Sequence, residues 1–307
     1  MDRIAQNISD LVGNTPIIKL NNIDKDYEAS IYGKCEFMNP TSSVKDRIGM
    51  NMIAQAIKEG LVNKNTHIIE PTSGNTGVAL ASQCAALEIK LTLTMPESMS
   101  IERQKLMKIF GANVVLTPAK EGMTGSINKA IEIEKSESNA IILQQFKNPN
   151  NPKAHELTTA FEILEDMNDD VDILVIAVGT GGTISGTGKI LKEKLPNIKI
   201  VAVEPKTSAV LSGNQPSPHK IQGIGAGFIP DTLDTSIYSE IIQVSNEDAI
   251  NTSKKLAAKE GLLVGISAGA NVWASEYLAK KAQNKGKKIV TILCDTGERY
   301  ISTELFS

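Results

Sequence analysis

Asp172-Ile173-Leu174-Val175-Ile176-Ala177-Val178 is an almost unbroken apolar run of strand length, and it ends on Gly179-Thr180-Gly181-Gly182-Thr183. A strand without alternating polarity has both faces covered, which is the condition of a central strand in a parallel sheet. Parallel strands need crossover connections, so the surrounding chain must alternate β with α. It does. Thr66–Glu70 reads as a strand, and Val78–Leu87 as a helix with Leu80, Ala81, Cys84 and Leu87 on one face. Leu91–Met95 reads as a strand leading to a helix over Ile101–Phe110, which Gly111 is suited to end in the left-handed conformation. Val114–Leu116 and Ile141–Leu143 are further strands. Gly182–Leu195 reads as helix, Ile200–Val203 as strand, Glu247–Glu260 as helix and Ile289–Leu293 as strand. The polar segment Lys147-Asn148-Pro149-Asn150-Asn151-Pro152 marks the boundary between two such units, because its prolines disfavour continued helix or sheet. A second irregular stretch, Leu211–Pro230, is rich in Gly and Pro, and loops of that length in a compact domain tend to be functional.

A chain of 307 residues, 41% hydrophobic and 22% charged, is long enough for two packed domains. Its net charge of −3 has the wrong sign for a nucleic-acid binder, and Lys280-Lys281 and Lys285-Gly286-Lys287-Lys288 read as solvated helix ends and turns. No apolar run reaches membrane-spanning length, and Met1-Asp2-Arg3-Ile4-Ala5-Gln6 lacks the apolar core of a signal peptide, so a cytoplasmic enzyme is expected. Cys35, Cys84 and Cys294 show no disulfide or zinc spacing, and Cys84 and Cys294 read as small buried hydrophobes. His67, His155 and His219 are equally scattered, so no metal is expected.

Four motifs carry chemistry. In Ser43-Val44-Lys45-Asp46-Arg47, the lysine falls in the first turn of a helix whose apolar stripe is Ile48, Met52, Ile53, Ala56 and Ile57, and Ser43 with Asp46 has the spacing of a capping box. The positive end of the helix dipole disfavours an ammonium, and Schiff-base chemistry needs the free amine. By itself the motif reads as a solvated lysine beside Asp46; its neighbours reverse that reading. Thr72-Ser73-Gly74-Asn75-Thr76-Gly77 joins a strand to a helix, where backbone N–H groups and hydroxyls suit a substrate carboxylate and Asn75 suits a ring oxygen, although these are also ordinary turn residues. Gly179–Thr183 opens a helix after the buried strand and suits a phosphate. It is no Walker loop, but Glu204 lies at about the spacing that keeps a dinucleotide site as a rival. Lys189 is expected to face water. Ser267, in the glycine-flanked turn Gly265–Ala270, is not a nucleophile elbow; its hydroxyl suits a pyridine nitrogen.

Together with Gly13-Asn14-Thr15-Pro16, Gln144-Gln145-Phe146, Gly223-Ile224-Gly225-Ala226-Gly227-Phe228 and Gly297-Glu298-Arg299-Tyr300, these motifs resemble those of the fold-type-II pyridoxal-phosphate enzymes, the tryptophan synthase β-like superfamily. Met95–Arg103 and Pro218–Gln222 are similar to its cysteine synthase branch, the A-type O-acetylserine sulfhydrylases. The resemblance implies an α/β protein of two domains, each a mostly parallel twisted sheet with helices on both faces, with pyridoxal 5′-phosphate in the cleft between them. Residues 1–40 and 148–307 would form the larger, phosphate-binding domain. Residues 41–147 would form the smaller mobile domain with the Schiff-base lysine and the substrate loop.

By the same resemblance, Lys45 is catalytic and holds the cofactor, Asn75 bonds its ring oxygen, Ser267 meets its ring nitrogen, and Gly179, Thr180, Gly181, Gly182 and Thr183 bind its phosphate. Thr72, Ser73, Thr76 and Gln145 would bind the substrate carboxylate, and Gly227 with Phe228 the wall that closes over it. The implied activity is a transferase reaction, a β-replacement that makes L-cysteine from O-acetyl-L-serine and sulfide by way of an α-aminoacrylate. A homodimer and docking of the C-terminal tail of serine acetyltransferase are implied as well. The alternatives are a sibling enzyme taking cysteine or serine as donor, sulfide-releasing or cystathionine β-synthase-like; Asp231, with Asp234 nearby, would serve it if it faced the pocket, but reads first as a loop-surface aspartate. A catalytically silent binding protein on the same scaffold is opposed by the intact Lys45, and a dehydrogenase by the lack of a hydride-transfer site.

Overall fold

The computed structural model describes residues 4–23 and 25–307, so Met1, Asp2 and Arg3 of the N-terminal stretch lie outside the described residues. The chain begins its regular structure with strands β1 (Ile17–Lys19) and β2 (Ser30–Lys34) and helix α1 (Lys45–Lys58). Then come β3 (His67–Pro71), α2 (Asn75–Leu87), β4 (Lys90–Pro96), α3 (Ile101–Ile109), β5 (Asn113–Thr117), α4 (Gly122–Ser136) and β6 (Ala140–Ile142). The remainder contains α5 (Asn150–Leu157), α6 (Thr159–Met167), β7 (Ile173–Ala177), α7 (Gly182–Lys194), β8 (Lys199–Pro205), β9 (Glu240–Val244), α8 (Asn246–Glu260), α9 (Ile266–Ala279) and β10 (Lys288–Ile292). Two compact units result. One comprises the residues up to Val12 and Asn39–Asn151; the other comprises Gly13–Met38 and Pro152–Ser307. The change of unit falls inside α5, where Pro152 is tolerated because the first turn of a helix needs no N–H from it.

The first unit is built on a four-stranded, wholly parallel sheet in the order β5-β4-β3-β6. Right-handed crossovers put α2 and α3 on one face; the return from β5 to β6 puts α4, which lies across all four strands, on the other. Ile68, Ile69 and Leu93 are fully buried, as strands covered on both faces require. The strand order reverses between β3 and β6, so this is the sheet's switch point. The 3-10 turn Ile8–Leu11 docks on α2 through Ser9, whose hydroxyl donates to Gln83 at 2.6 Å.

The second unit carries a six-stranded sheet, β1-β2-β10-β7-β8-β9, parallel except for the edge strand β1. Its core strand β7 is the apolar run from which the sequence reading started, and Ile173, Leu174 and Val175 are wholly buried. Helix α9 lies across this sheet with α8 packed on it. Ser267 belongs to the first turn of α9 rather than to an irregular turn, because Gly265 sits at the N-cap and the small residues Ala268, Gly269 and Ala270 continue the helix against α8. A Cβ at Gly269 would collide with the Ala249 carbonyl oxygen and the Ser253 hydroxyl and lie 2.8 Å from the Ser253 nitrogen, all on α8. Gly269→Ala is therefore expected to separate the helices and cost about 1–3 kcal/mol or more by overpacking. Urea unfolding of variant and parent measures it; an unchanged midpoint would show that the helices part freely.

Candidate active site

In the first unit Lys45 is the first residue of α1 and is half-buried. The expected capping box is not formed. The Asp46 carboxylate turns back to accept from the Thr41 N–H at 2.5 Å and from the Thr41 hydroxyl, and the residue at the N-cap position, Val44, has no capping side chain. The local spacing was that of a box, but the Thr41 hydroxyl and N–H reach Asp46 first, and they fold the Asn39–Ser43 segment tightly onto the start of α1. That segment includes Ser42 in the left-handed region at φ 58°. Helix α1 packs on α2 through Gly49, where an added Cβ would stand 3.0 Å from the Ala79 Cβ. The close approach fixes the start of α1 relative to the start of α2.

Helix α2 begins at Asn75 behind an extended Gly74, which offers no side-chain cap. No acidic residue lies in its first turn, so the positive end of its dipole faces whatever binds there and suits an anion. Thr72 and Thr76 are buried, whereas Ser73 and Asn75 are half-buried. Gln145 is brought to the same turn from the far side of the switch point: the Thr76 hydroxyl donates to its Oε1 at 2.7 Å. The unit thus gathers Lys45, Thr72, Ser73, Asn75, Thr76 and Gln145. Behind them lies Glu70, which the sequence reading passed over as the last residue of a strand. Its two carboxylate oxygens accept from the backbone N–H groups of Gln144 at 2.9 Å and Gln145 at 3.0 Å. A charged residue closing the apolar run Ile68-Ile69 was the one available signal.

In the second unit the glycine loop follows β7 and opens α7. A Cβ at Gly179 would collide with the Gly223 carbonyl oxygen, and one at Gly181 would lie 2.5 Å from the Leu233 Cβ. Gly181 also has φ +84°, a conformation that disfavours side chains. As the N-cap of α7 it provides no side-chain oxygen, and the first turn holds no acidic residue. Backbone donors, an N-cap without a side chain and the hydroxyls of Thr180 and Thr183 make a cradle that suits an anion. The loop is braced from outside: the Thr232 hydroxyl donates to the Thr180 carbonyl at 2.6 Å, and His155 is hydrogen-bonded with Thr183 at 3.2 Å and Thr159 at 2.9 Å. His155 is buried and was not foreseen in this role. Ser267 is buried near Gly223, whose added Cβ would be 3.9 Å from its hydroxyl. Gly179–Thr183, Gly223 and Ser267 are thereby neighbours.

The remaining candidates fall into place around these sets. Gly227 is half-buried at φ +84°, and Phe228 beside it is about half exposed. Asp231 is exposed, and Asp234 is exposed too, its carboxyl held below the usual range by hydrogen bonds from the Ser236 hydroxyl and N–H. Glu204 is buried and caps its own loop, accepting from the Leu211 N–H and the Ser212 hydroxyl, which removes the acidic partner that a dinucleotide site needs. Lys189 pairs with Glu156 at 3.2 Å on the surface. Burial pushes the Cys35 thiol up to about 11 and the Cys84 thiol up to about 12. Cys294, read as buried from the sequence, is only half-buried.

Residues 8–295 match the model of the family described as pyridoxal-phosphate dependent enzyme. A cysteine synthase of Staphylococcus aureus is 51% identical over 304 residues, 99% of this chain and 97% of that protein. Among solved structures, cysteine synthase from Entamoeba histolytica is similar with a TM-score of 0.97 at 44% identity, over 99% of this chain and 91% of that one. A hydrogen sulfide-producing enzyme from Fusobacterium nucleatum is similar with a TM-score of 0.94 at 48% identity, over 98% of this chain and 99% of that one.

Burial pushes the Glu70 carboxyl up from 4.5 to about 7, against the opposing pull of its backbone N–H donors. Between those values the folded chain keeps a proton that the unfolded chain has released. Stability therefore falls as pH rises through this window and levels off above it, by an amount on the order of 3 kcal/mol. Tm followed across the window for the parent and for Glu70→Gln, which does not titrate, checks the sign. The variant's profile is expected to be flatter, and equal slopes would contradict the shift.

Proposed function

We propose that this chain, which belongs to the family of pyridoxal-phosphate-dependent enzymes, carries out a β-replacement that makes L-cysteine from O-acetyl-L-serine and sulfide. The observation that carries the reading is the first unit's grouping of a helix-start lysine with an uncapped helix N-terminus and the Thr76–Gln145 pair. This is a Schiff-base amine beside a carboxylate site, in a chain half-identical to a cysteine synthase. The residues fit pyridoxal 5′-phosphate: the Gly179–Thr183 loop, packed so closely on Gly223 and Leu233 that neither Gly179 nor Gly181 has room for a Cβ, suits its phosphate, and the buried Ser267 hydroxyl suits its ring nitrogen.

When bound, the cofactor withdraws electrons from the substrate's α-carbon, making the α-proton acidic and the β-substituent a leaving group. The chain's own residues do the rest. Lys45 would hold the cofactor and, as a free amine, would take the substrate's α-proton on Nζ and return it. Thr72, Ser73, Thr76 and Gln145 would hold the substrate carboxylate, and Asn75 would donate to the cofactor's ring oxygen. Ser267 offers a neutral hydroxyl rather than a carboxylate. The ring nitrogen is then left largely unprotonated, and loss of a good leaving group is favoured over racemisation or transamination. Gly227 and Phe228 form the wall that closes over the substrate and excludes water. The unit built on Asn39–Asn151 carries the mobile substrate side, and the unit of Gly13–Met38 and Pro152–Ser307 the phosphate side.

The second reading, a sibling enzyme that releases sulfide from cysteine, is favoured by the likeness to the Fusobacterium nucleatum protein. It would use the same residues, but the exposure of Asp231 gives it no additional group. A homodimer, docking of the C-terminal tail of a serine acetyltransferase and a cytoplasmic location belong to the same proposal. No helix among the described residues is long and apolar enough to cross a membrane.

The visible spectrum of the purified protein tests the function. A cofactor band that changes on adding O-acetyl-L-serine and returns on adding sulfide supports cysteine synthesis. A band that ignores O-acetyl-L-serine and responds to L-cysteine moves the assignment to the sibling, and no band after reconstitution refutes the family chemistry in this chain. Lys45→Ala is expected to abolish turnover, and near-normal turnover would remove Lys45 from its role. Ser267→Asp is expected to raise the share of racemisation and transamination, which product analysis by chiral chromatography measures.

A further inference from the structure

Parallel sheets bind ligands outside the carboxyl ends of their strands, where the strand order reverses. In the first unit that place lies between β3 and β6, and the two strands run in register from His67 with Ala140 to Ile69 with Ile142. One residue beyond the registered pairs stand Glu70 on β3 and Leu143 after β6. Past Glu70 the chain makes the Thr72–Gly77 turn; past Leu143 it makes the Gln144–Gln145 turn. Glu70 is the side chain that ties the second turn to the first strand.

Three features show that the second turn is held from outside. Gln144 has φ 60°, in the left-handed region, where a non-glycine residue costs about 1–2 kcal/mol. Its neighbour Gln145 is 5% exposed, so its side chain has no freedom to find its partner by itself. The backbone is pinned at both ends: Glu70 accepts the N–H groups of Gln144 and Gln145, while Asn151 donates to the Gln145 carbonyl at 2.7 Å and Asn148 to that of Leu143 at 2.8 Å. The consecutive N–H groups meet one oxygen each of a single carboxylate. An amide in its place keeps an acceptor for one N–H and turns its NH₂ on the other.

We propose that Glu70 is a positioning residue for recognition of the amino-acid substrate: its carboxylate sets the Gln144–Gln145 backbone across the switch point and so aligns Gln145 with Thr76. The inference rests on the carboxylate-binding role given to Gln145 above. Glu70 touches no substrate; it acts through the turn. Burial works against this carboxylate, pushing its carboxyl up to about 7, while its backbone N–H donors pull the other way.

The test is steady-state kinetics of the holoenzyme with O-acetyl-L-serine and sulfide, on variants shown by far-UV circular dichroism and the cofactor band to be folded and loaded. Glu70→Gln is expected to raise KM for O-acetyl-L-serine roughly tenfold while the effect on kcat stays small, as loss of uniform binding requires. A purely structural role would lower Tm without this split. Gln145→Ala is expected to raise KM as well, and adding Glu70→Gln to it should change KM by less than about twofold, because the two act on one contact. Should Glu70→Gln not fold, Glu70→Asp carries the same test: the charge remains but is withdrawn by one methylene, and a smaller rise in KM is expected. A raised KM in Gln145→Ala with an unchanged one in the folded Glu70 variant overturns the inference alone. An unchanged KM in Gln145→Ala overturns both it and the role of Gln145. Full additivity in the double variant overturns the coupling on which the inference depends.

Discussion

Where a parallel strand ends and a helix begins, several backbone N–H groups have no partner within the chain's regular structure and need an acceptor. Most of what is functional in this protein is arranged around that need. A serine cap meets it at α3, where Ser100 accepts from Arg103, and at α8, where Ser245 accepts from Asp248. At α2 and α7 the N-cap is a glycine, and the first turns carry no acidic side chain. Helix α9 likewise starts at a glycine, Gly265, with no acidic residue in its first turn. The sites proposed for a carboxylate, a phosphate and a ring nitrogen thus lie at the three helix starts where a glycine N-cap leaves the chain without an anion of its own. At Gln144–Gln145 it did supply one, Glu70.

Glycine makes these turns accessible, and it does so in different ways. At Gly181 the backbone conformation itself demands it. At Gly179 the conformation is ordinary, and the reason is the neighbouring Gly223 carbonyl, which leaves no room for a Cβ. At Gly49 the residue lies inside a helix, where it costs stability, and the return is the close packing of α1 on α2 that holds Lys45 and Asn75 in fixed relation.

Much of this was legible in the sequence because it is local. The strands His67–Pro71, Lys90–Pro96 and Ile173–Ala177 announced themselves by apolar runs, and the site turns by glycine and hydroxyl density immediately after such runs. The short strands β1 and β2 were missed, as was α9 as the seat of Ser267: its glycine and alanine content resembles a turn, and it is helical because α8 packs on it. The capping box at Ser43 and Asp46 failed for a related reason, since spacing names possible partners and Thr41 was the better one. Glu70 and Gln145 are 75 positions apart, and Thr76 and Gln145 are 69 apart. Nothing in a single sequence reports such pairs; they follow from β6 lying beside β3, which only the assembled sheet decides.

The burial of Cys35 and Cys84 acquires meaning from the chemistry proposed for the fold. An enzyme that handles sulfide and free cysteine works among the reagents that exchange with protein thiols and disulfides, and only the thiolate takes part in that exchange. With burial raising Cys35 to about 11 and Cys84 to about 12, both sulfurs stay protonated at neutral pH and are shielded by the core. These two thiols are thus chemically silent toward the product, and the packing that stabilises the two units also keeps mixed disulfides from forming at either of them.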